Sequence, residues 1–465
     1  MTEELRYESR MSDSDALMWT IEKDPLLRST ITAVSLLDGP VDPARFTEKI
    51  DRASRVIPRL RQRVVGNPYS LAPPRWEIDP NFDLSYHVRR VSAGGEADEA
   101  RLLELAQWMA MQGFDRARPL WEIYIVDGMA DGSTALIQKL HHAVADGVGS
   151  VQMALTLFDL EPSPDDLGAA PDAPTGHVLG PLERLTDGIA YLGRRRLGAV
   201  QRSVGAVTGG LRDVLADPTD AARRLADTVG SVGRLLAPAT HPLSPLMGGR
   251  SLSVRFSTIV RPLDDLRVAA KAADGKLNDA FVAAVAGGLQ RYHAQLGAPV
   301  EALRMTMPIN VRTESTQGVV GNQFVPARFA VPLTIDDPIE RMTAIRALVA
   351  VQRGEPALAL SEPLAGVLNR LPTSFTTGVF GGMLRGVDFV TSNVPGAPVP
   401  LFAAGAKILY QFPFGPLSGA GANITLLSWL DQVCIGVNVD PAAVVDPGAF
   451  TECLAEGFDE VIAAG

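Results

Sequence analysis

The chain has few of the residues on which several classes of protein depend. Among its 465 residues are two cysteines, Cys434 and Cys453, and six histidines. Two cysteines cannot build a disulfide framework, and they form no metal-binding pattern with the scattered histidines, so we expect a reducing interior and no metal. No apolar run approaches the roughly 20 residues of a membrane-spanning helix. The longest candidate, residues 280–289, contains Gly287 and Gly288, and we assign it to an amphipathic helix.

Positive charge is also in short supply. The chain has 43 lysines and arginines against 53 aspartates and glutamates, and its formal net charge is −10. This balance argues against nucleic acid as the main partner. The first fifteen residues are polar and acidic, unlike a signal peptide. We expect a cytoplasmic protein, and peripheral association with the inner membrane or lipid bodies is left open.

The length exceeds what one hydrophobic core usually supports, so two domains are expected. Residues 1–165 and 251–465 both alternate strand and helix patterns, which predicts a mixed α/β (α+β) fold. Residues 166–250 begin with a linker rich in proline and glycine. A basic segment with helical spacing follows over residues 182–236. It is interpreted as a solvated helical face, with an interfacial helix on anionic lipid as the alternative.

Local patterns place most of the secondary structure. Ser12 is a good helix cap before residues 16–19, and helices are also predicted over 43–53, 97–111, 276–292, 338–351 and 447–462. Strands are predicted over 29–37, 59–65, 75–78, 121–126, 134–140, 252–259, 303–309, 324–331 and 388–393. Residues 424–429 and 433–439 are predicted to form a hairpin.

The most informative motif is a pair of adjacent histidines, His141 and His142, followed by Asp146 and Gly147 in the pattern HHxxxDG. The pair follows a predicted buried strand and precedes a tight turn, a position that often carries catalytic side chains. A neutral imidazole accepts a proton near pH 7. No serine or cysteine lies at nucleophile spacing, which favours direct activation of a substrate hydroxyl over a covalent acyl-enzyme. The alternative is a buried pair whose ring nitrogens are satisfied by backbone carbonyls.

Further motifs resemble the wax ester synthase/acyl-CoA:diacylglycerol acyltransferase family of bacteria. They are Pro119-Leu120-Trp121-Glu122, the histidine motif, Asn278-Asp279 and Ser392-Asn393-Val394-Pro395-Gly396, in family order. The histidine motif alone indicates only the wider superfamily of CoA-dependent acyltransferases. The resemblance implies two chloramphenicol-acetyltransferase-like halves, each a mixed sheet with flanking helices, facing each other across a substrate tunnel.

The resemblance also implies roles for residues. His142 is the expected base, Asp146 holds the loop, and His141 packs or hydrogen-bonds behind it. Candidate substrate contacts are Pro119, Leu120, Trp121, Asn278, Asp279, Thr391, Ser392 and Asn393. Each has a structural alternative: Trp121 as a core residue, Asn278-Asp279 as a helix cap, and Ser392 to Gly396 as a β-turn. Backbone N–H groups near Gly147, or the side chains of Asn278 and Ser392, are candidate oxyanion donors.

The resulting hypothesis is an O-acyltransferase that moves a long-chain acyl group from acyl-CoA to diacylglycerol or a fatty alcohol. No cofactor is implied, because acyl-CoA is the substrate. Two alternatives stay open. One is a condensation-like acyltransferase that takes its acyl group from a carrier protein. The other is a non-catalytic lipid-binding homologue.

Overall fold

A computed structural model describes residues 7–67, 72–144, 153–162, 168–195, 230–231, 233, 239, 241–310, 324–355, 365–366, 368–369 and 373–465. Its helices include α1 (Asp13–Ile21), α2 (Pro43–Val56), α3 (Leu84–His87), α4 (Glu99–Met111), α5 (Leu263–Ala272), α6 (Leu277–Gln295), α7 (Pro338–Arg353), α8 (Thr373–Leu384) and α9 (Pro447–Ala463). Its strands include β1 (Thr30–Leu37), β2 (Gln62–Val65), β3 (Arg75–Ile78), β4 (Val88–Ala97), β5 (Trp121–Met129), β6 (Ala135–His141), β7 (Arg255–Pro262), β8 (Ala302–Asn310), β9 (Phe324–Pro332), β10 (Phe389–Pro395), β11 (Phe402–Ala403), β12 (Ala406–Phe414), β13 (Ala422–Trp429) and β14 (Gln432–Val439).

Several helices begin with the same local chemistry. Helices α2, α7 and α9 each start with proline directly after an aspartate, whose carboxylate accepts a backbone N–H of the first turn. Aspartate satisfies N–H groups that have no partner inside the helix, and proline has no N–H to satisfy. The predicted cap of α1 is confirmed, because the hydroxyl of Ser12 accepts the N–H of Asp15 at 3.0 Å.

The first sheet has the strand order β11-β12-β1-β6-β5-β4. Strand β1 lies between β6 and β12 and is antiparallel to both, whereas β4 runs parallel to β5. Residues 402–414 fall within the predicted C-terminal half, yet they complete this sheet. The two halves therefore share strands, and the predicted boundaries near residues 165 and 250 stay a prediction.

The second sheet has the order β7-β14-β13-β10-β8-β9. Its centre is parallel, since β10 pairs with β13 and β8 in the same direction, and antiparallel pairs flank it. Helices α6 and α9 cover one face. Residues Asp279 to Gly288 of α6 are all buried, so the prediction of an amphipathic helix at this place is wrong. The helix is enclosed because α9 packs against it so closely that a Cβ at Gly288 would lie 2.6 Å from the Cα of Leu454.

The other face of the second sheet packs against the first half. The rings of Phe256 on β7 and Phe414 on β12 stack with their centroids 4.0 Å apart. Where β14 crosses β12, a Cβ at Gly436 would lie 1.9 Å from the carbonyl oxygen of Pro413. Residues from both halves, including Leu427 and Cys434, belong to one continuous hydrophobic core. The predicted mixed α/β fold with two sheet-containing halves is confirmed.

Most predicted elements are present within a few residues. The predicted strand over 59–65 is wrong in its first part, because Pro58–Arg61 form a 3₁₀ turn and only Gln62–Val65 pair as β2. Both cysteines are buried and free. In the described part of the chain, no helix is long and apolar enough to span a membrane.

Candidate active site

The histidine pair lies at the end of β6, inside the first sheet. The N–H of His141 donates to the carbonyl of Leu120 on one side at 3.0 Å. On the other side the N–H of His142 donates to the carbonyl of Ser29, just before β1, at 2.8 Å. A turn then closes, because the N–H of Val144 donates to the carbonyl of His141 at 2.9 Å. The backbone of the pair is therefore held from both neighbouring strands.

The two imidazoles have different surroundings. The residue His141 is 1% exposed, and its ring lies edge-on to Trp19 with centroids 5.4 Å apart. Its Nδ1 accepts the N–H of Ala143 at 3.0 Å. The residue His142 is only partly buried. His142 is thus the member of the pair with solvent access. Asp146 and Gly147, predicted to hold the loop, lie outside the described residues.

A carboxylate that sequence reasoning missed reaches His141. Glu22 Oε1 lies 3.0 Å from His141 Nε2, although the contact is bent away from the angle of a well-formed hydrogen bond. The same oxygen accepts the N–H of Ser29 at 2.6 Å. Burial alone raises the pKa of Glu22, but His141, the Ser29 N–H and Arg116 outweigh it and hold that pKa below its usual range. No local pattern identifies Glu22, because 119 residues separate it from its partner.

A buried lysine lies beneath the pair on the same face of β6. Lys139 is 1% exposed, and its Nζ lies 3.8 Å from Glu122 and 4.5 Å from the ring centroid of Phe114. Burial lowers the pKa of Lys139, and Glu122 opposes that shift.

The residues of the Pro119-Leu120-Trp121 motif are all wholly or partly buried. The Trp121 indole donates to the carbonyl of Leu60 at 2.7 Å, and its ring stacks on His87 with centroids 4.5 Å apart. Leu120 contributes the carbonyl that accepts the N–H of His141. These contacts support the interpretation of the motif as scaffold for β5 and for the histidine pair.

In the second half, Thr391 lies on the face that the helices cover. It is 1% exposed, and its hydroxyl lies 3.2 Å from the sulfur of Met305. The amide of Asn278 lies 3.6 Å from the sulfur of Met307, two residues along the same strand. Since strand side chains alternate, Asn393 shares this face. Asp279 caps α6, because its carboxylate accepts the N–H of Lys276 at 2.8 Å.

Ser392 lies on the opposite face of β10, towards the first half. Its register partner on β13 is Thr425, which donates to the side-chain oxygen of Asn423 at 2.8 Å. The structure therefore separates the predicted residues of the second half. Thr391, Asn393 and Asn278 are on the helix side, whereas Ser392 faces the region between the halves.

A cleft between the halves reaches Thr30, beside the end of β6, although neither histidine lines it. It encloses about 70 Å³, and Thr30 and Thr32 of β1 line it together with Phe256, Phe414 and Asn438. Thr30 is the register partner of His141 on the neighbouring strand. Asn438 is 5% exposed, and its amide N–H donates to the carbonyl of Gly415, while its Oδ1 has no hydrogen-bond partner in the part of the chain that the structure describes. The cleft thus combines aromatic walls with a buried acceptor.

The described residues contain no group of three or more histidine, cysteine, aspartate or glutamate side chains that could hold a metal ion.

Comparison with protein families finds two adjacent matches. The description "Wax ester synthase/diacylglycerol acyltransferase catalytic domain" matches residues 11–281, and "WS/DGAT C-terminal domain" matches residues 320–461. A protein of Mycobacterium tuberculosis H37Rv, provisionally named a diacylglycerol O-acyltransferase, is 39% identical over 98% of this chain and 92% of its own length. A second from the same strain is 28% identical over 98% of this chain and 97% of its own.

Solved structures share the fold. The wax ester synthase/diacylglycerol acyltransferase of Marinobacter aquaeolei VT8 has a TM-score of 0.62 and 21% identity, covering 97% of this chain and 98% of that one. A mutant starter condensation domain of rhizomide synthetase, in complex with C8-CoA, has a TM-score of 0.59 and 15% identity, covering 98% of this chain and 95% of that one. At these identities the likeness concerns architecture.

Proposed function

Because the chain belongs to the wax ester synthase/diacylglycerol acyltransferase family of acyltransferase enzymes, we propose that it transfers a long-chain acyl group from acyl-CoA to a lipid alcohol. The acceptor is diacylglycerol or a fatty alcohol, and the product is triacylglycerol or a wax ester. The observation that carries the proposal is the position of His142. It is partly exposed at a strand end, its backbone is bound to Ser29, and a cleft begins at the next residue, Thr30.

In the proposed reaction, the imidazole of His142 removes the hydroxyl proton of the alcohol as its oxygen attacks the thioester carbonyl. A C–O bond forms, and the carbonyl oxygen becomes an oxyanion that needs hydrogen-bond donors. When the intermediate collapses, the C–S bond breaks and the imidazolium protonates the CoA thiolate. The proton has then moved from alcohol to thiol, and the base is regenerated.

Among the candidate oxyanion donors, Ser392 is favoured over Asn278. The Ser392 side chain is on the face of β10 that looks towards the first half, whereas the Asn278 amide contacts the Met307 sulfur on the helix side. A Ser392→Ala variant is expected to lose turnover, whereas Thr391→Val should retain it, because Thr391 is sealed under the helices.

The direct test uses labelled acyl-CoA, a panel of alcohols and thin-layer separation of the products. Wild-type protein is expected to form labelled triacylglycerol or wax ester, and His142→Ala should lose at least about 100-fold in rate. Wild-type turnover by a folded His142→Ala variant would remove His142 from the base role. An acyl carrier protein as donor, in a parallel reaction, tests the condensation-like alternative. Lipid binding without transfer to any alcohol would indicate the non-catalytic homologue.

We also propose that the enzyme meets its lipid substrates at a surface, through the helical residues 181–195. Leu182 and Ile189 are 73% and 57% exposed and lie two turns apart on one face. Two arginines of this helix do not supply surface charge, since Arg184 binds Glu77 and Arg195 binds Asp13. Flotation with phosphatidylglycerol vesicles tests the proposal. Replacing Leu182 and Ile189 with glutamine should release bound protein, and unchanged flotation would contradict the assignment.

A further inference from the structure

The carboxylate of Glu22 contacts the histidine turn at two points. Glu22 directly follows α1, and its side chain is 9% exposed. Its Oε1 lies 2.6 Å from the backbone nitrogen of Ser29 and 3.0 Å from Nε2 of His141. Its Oε2 lies 3.4 Å from a guanidinium nitrogen of Arg116. One largely buried carboxylate thus holds a residue before β1 and a residue at the end of β6.

Ser29 and His141, the two residues that Glu22 contacts, each bind a backbone N–H group next to the His142 side chain. Ser29 receives the N–H of His142 on its carbonyl at 2.8 Å, so the residue that Glu22 holds also holds His142. His141 receives the N–H of Ala143 on Nδ1 at 3.0 Å. The amide groups at the start and at the end of residue 142 are therefore bound by the two residues that Glu22 contacts.

The second contact also favours one tautomer of His141. A ring nitrogen that accepts an N–H carries no hydrogen, so in a neutral ring Nε2 is the protonated nitrogen. That nitrogen lies 3.0 Å from Glu22 Oε1, close enough for the carboxylate to favour hydrogen at Nε2 although the angle is bent. With the carboxylate removed, the tautomer with hydrogen on Nδ1 becomes accessible. In that tautomer the hydrogen on Nδ1 of His141 would point at the N–H of Ala143, and the repulsion between these two donors would open the turn.

We propose that Glu22 is a positioning residue for the base, acting through Ser29 and His141 to place the imidazole of His142. This inference rests on the proposed function of His142. Glu22 itself is enclosed and does not contact the reacting atoms. Its removal changes the rate of the chemical step rather than substrate binding, because displacement of a reacting group by about 1 Å is enough to cost 100-fold in rate.

The kinetic test compares Glu22→Ala with Glu22→Gln and a matched control, Glu77→Ala. Glu77 is a similarly buried carboxylate that binds Arg184 at 3.0 Å. Glu22→Ala should lower kcat by about 10- to 100-fold and change each KM less than about threefold. Glu22→Gln should recover most of the rate, because its amide oxygen accepts the N–H groups of Ser29 and His141. Glu77→Ala should keep kcat within about threefold.

A second readout does not depend on activity. Nitrogen-15 labelling of histidine gives the tautomer and pKa of each of the six imidazoles by NMR. Wild type should show His141 with its hydrogen on Nε2, and Glu22→Ala should show a shifted tautomer population for His141 together with changed imidazole signals for His142. Unchanged imidazole signals together with unchanged kcat would overturn the proposal. So would an equal loss of kcat in Glu77→Ala. Failure of His142→Ala to lose activity would instead refute the base role of His142 in the proposed function, and it would leave the tautomer result standing.

Discussion

The contact between the two halves is tightest where β14 crosses β12, and Gly436→Ala tests how much depends on it. A Cβ at Gly436 would lie 1.9 Å from the carbonyl oxygen and 2.7 Å from the carbonyl carbon of Pro413. Real Cβ atoms essentially never approach closer than 3.0 Å, so one strand must move by about 1 Å. The obstacle is backbone, which cannot rotate away as a side chain would.

The cost follows from what holds β12 in place. Pro413 pairs with Ala33 on β1, and Phe414 stacks on Phe256, so a 1 Å retreat disturbs both a strand ladder and a core contact. Overpacking of this kind costs about 1–3 kcal/mol. Alanine in place of glycine returns about 0.5–1 kcal/mol of backbone entropy. We therefore expect Gly436→Ala to lower the free energy of unfolding by about 1 kcal/mol, the overpacking cost less the backbone gain.

The measurement is urea unfolding followed by tryptophan fluorescence, with Gly39→Ala as control. Gly39 has open space around its missing Cβ, so the control reports the substitution without the clash. Gly436→Ala should unfold at lower urea with an unchanged slope, because a shift of midpoint alone reports stability. Its KM should also rise, since Phe256 and Phe414 line the cleft. A midpoint equal to that of Gly39→Ala would refute the close packing inferred at this crossing.

Three further predictions concern the scaffold, the carboxylate and the cleft. Trp121→Phe should destabilise the fold by about 1–3 kcal/mol, because the carbonyl of Leu60 loses its hydrogen-bond donor. Thermal denaturation should show this loss of stability, and a kcat close to that of wild type should show that activity persists. The folded-state pKa of Glu22 is lowered, so its stabilisation is full above the unfolded glutamate pKa of about 4.3 and is lost as pH falls through the folded value. The difference in melting temperature between wild type and Glu22→Gln should accordingly shrink below about pH 5, and a constant difference would contradict it. Asn438→Leu should raise KM for the substrate that fills the cleft without changing kcat more than about twofold, and equal KM values would exclude Asn438 from binding.

Local sequence patterns were sufficient for elements whose stabilising contacts are nearby. The starts of α2, α7 and α9 at a proline and the hairpin of β13 and β14 were predicted, because the signals for them lie within a few residues of each other in the sequence. Strand β12 was not predicted. Its partner β1 lies about 370 residues earlier, and nothing local indicates that residues 406–414 leave their own half to complete the other sheet.

The residues of the candidate site also fall into those that a local motif identified and those that it did not. The histidine motif marked the end of β6. The structure buries His141 and leaves His142 partly exposed, and the base role that the resemblance implies for His142 stays a prediction. Glu22 was missed because its contact with His141 exists only after α1 packs beside β6. The motif over residues 391–393 could not show which of its side chains faces the region between the halves. The choice between Thr391 and Ser392 depends on which face of β10 the helices cover.

The role of the His142 imidazole as the base that removes the proton from the acceptor alcohol is a proposal. Its most direct test is kcat/KM measured from about pH 5 to 9 for wild type and His142→Ala with one acyl-CoA and one alcohol. Wild-type kcat/KM is expected to rise with pH as the imidazole loses its proton, and His142→Ala should lose this pH dependence together with at least about 100-fold of the rate. A folded His142→Ala variant that keeps both the pH dependence and the rate would contradict the base role.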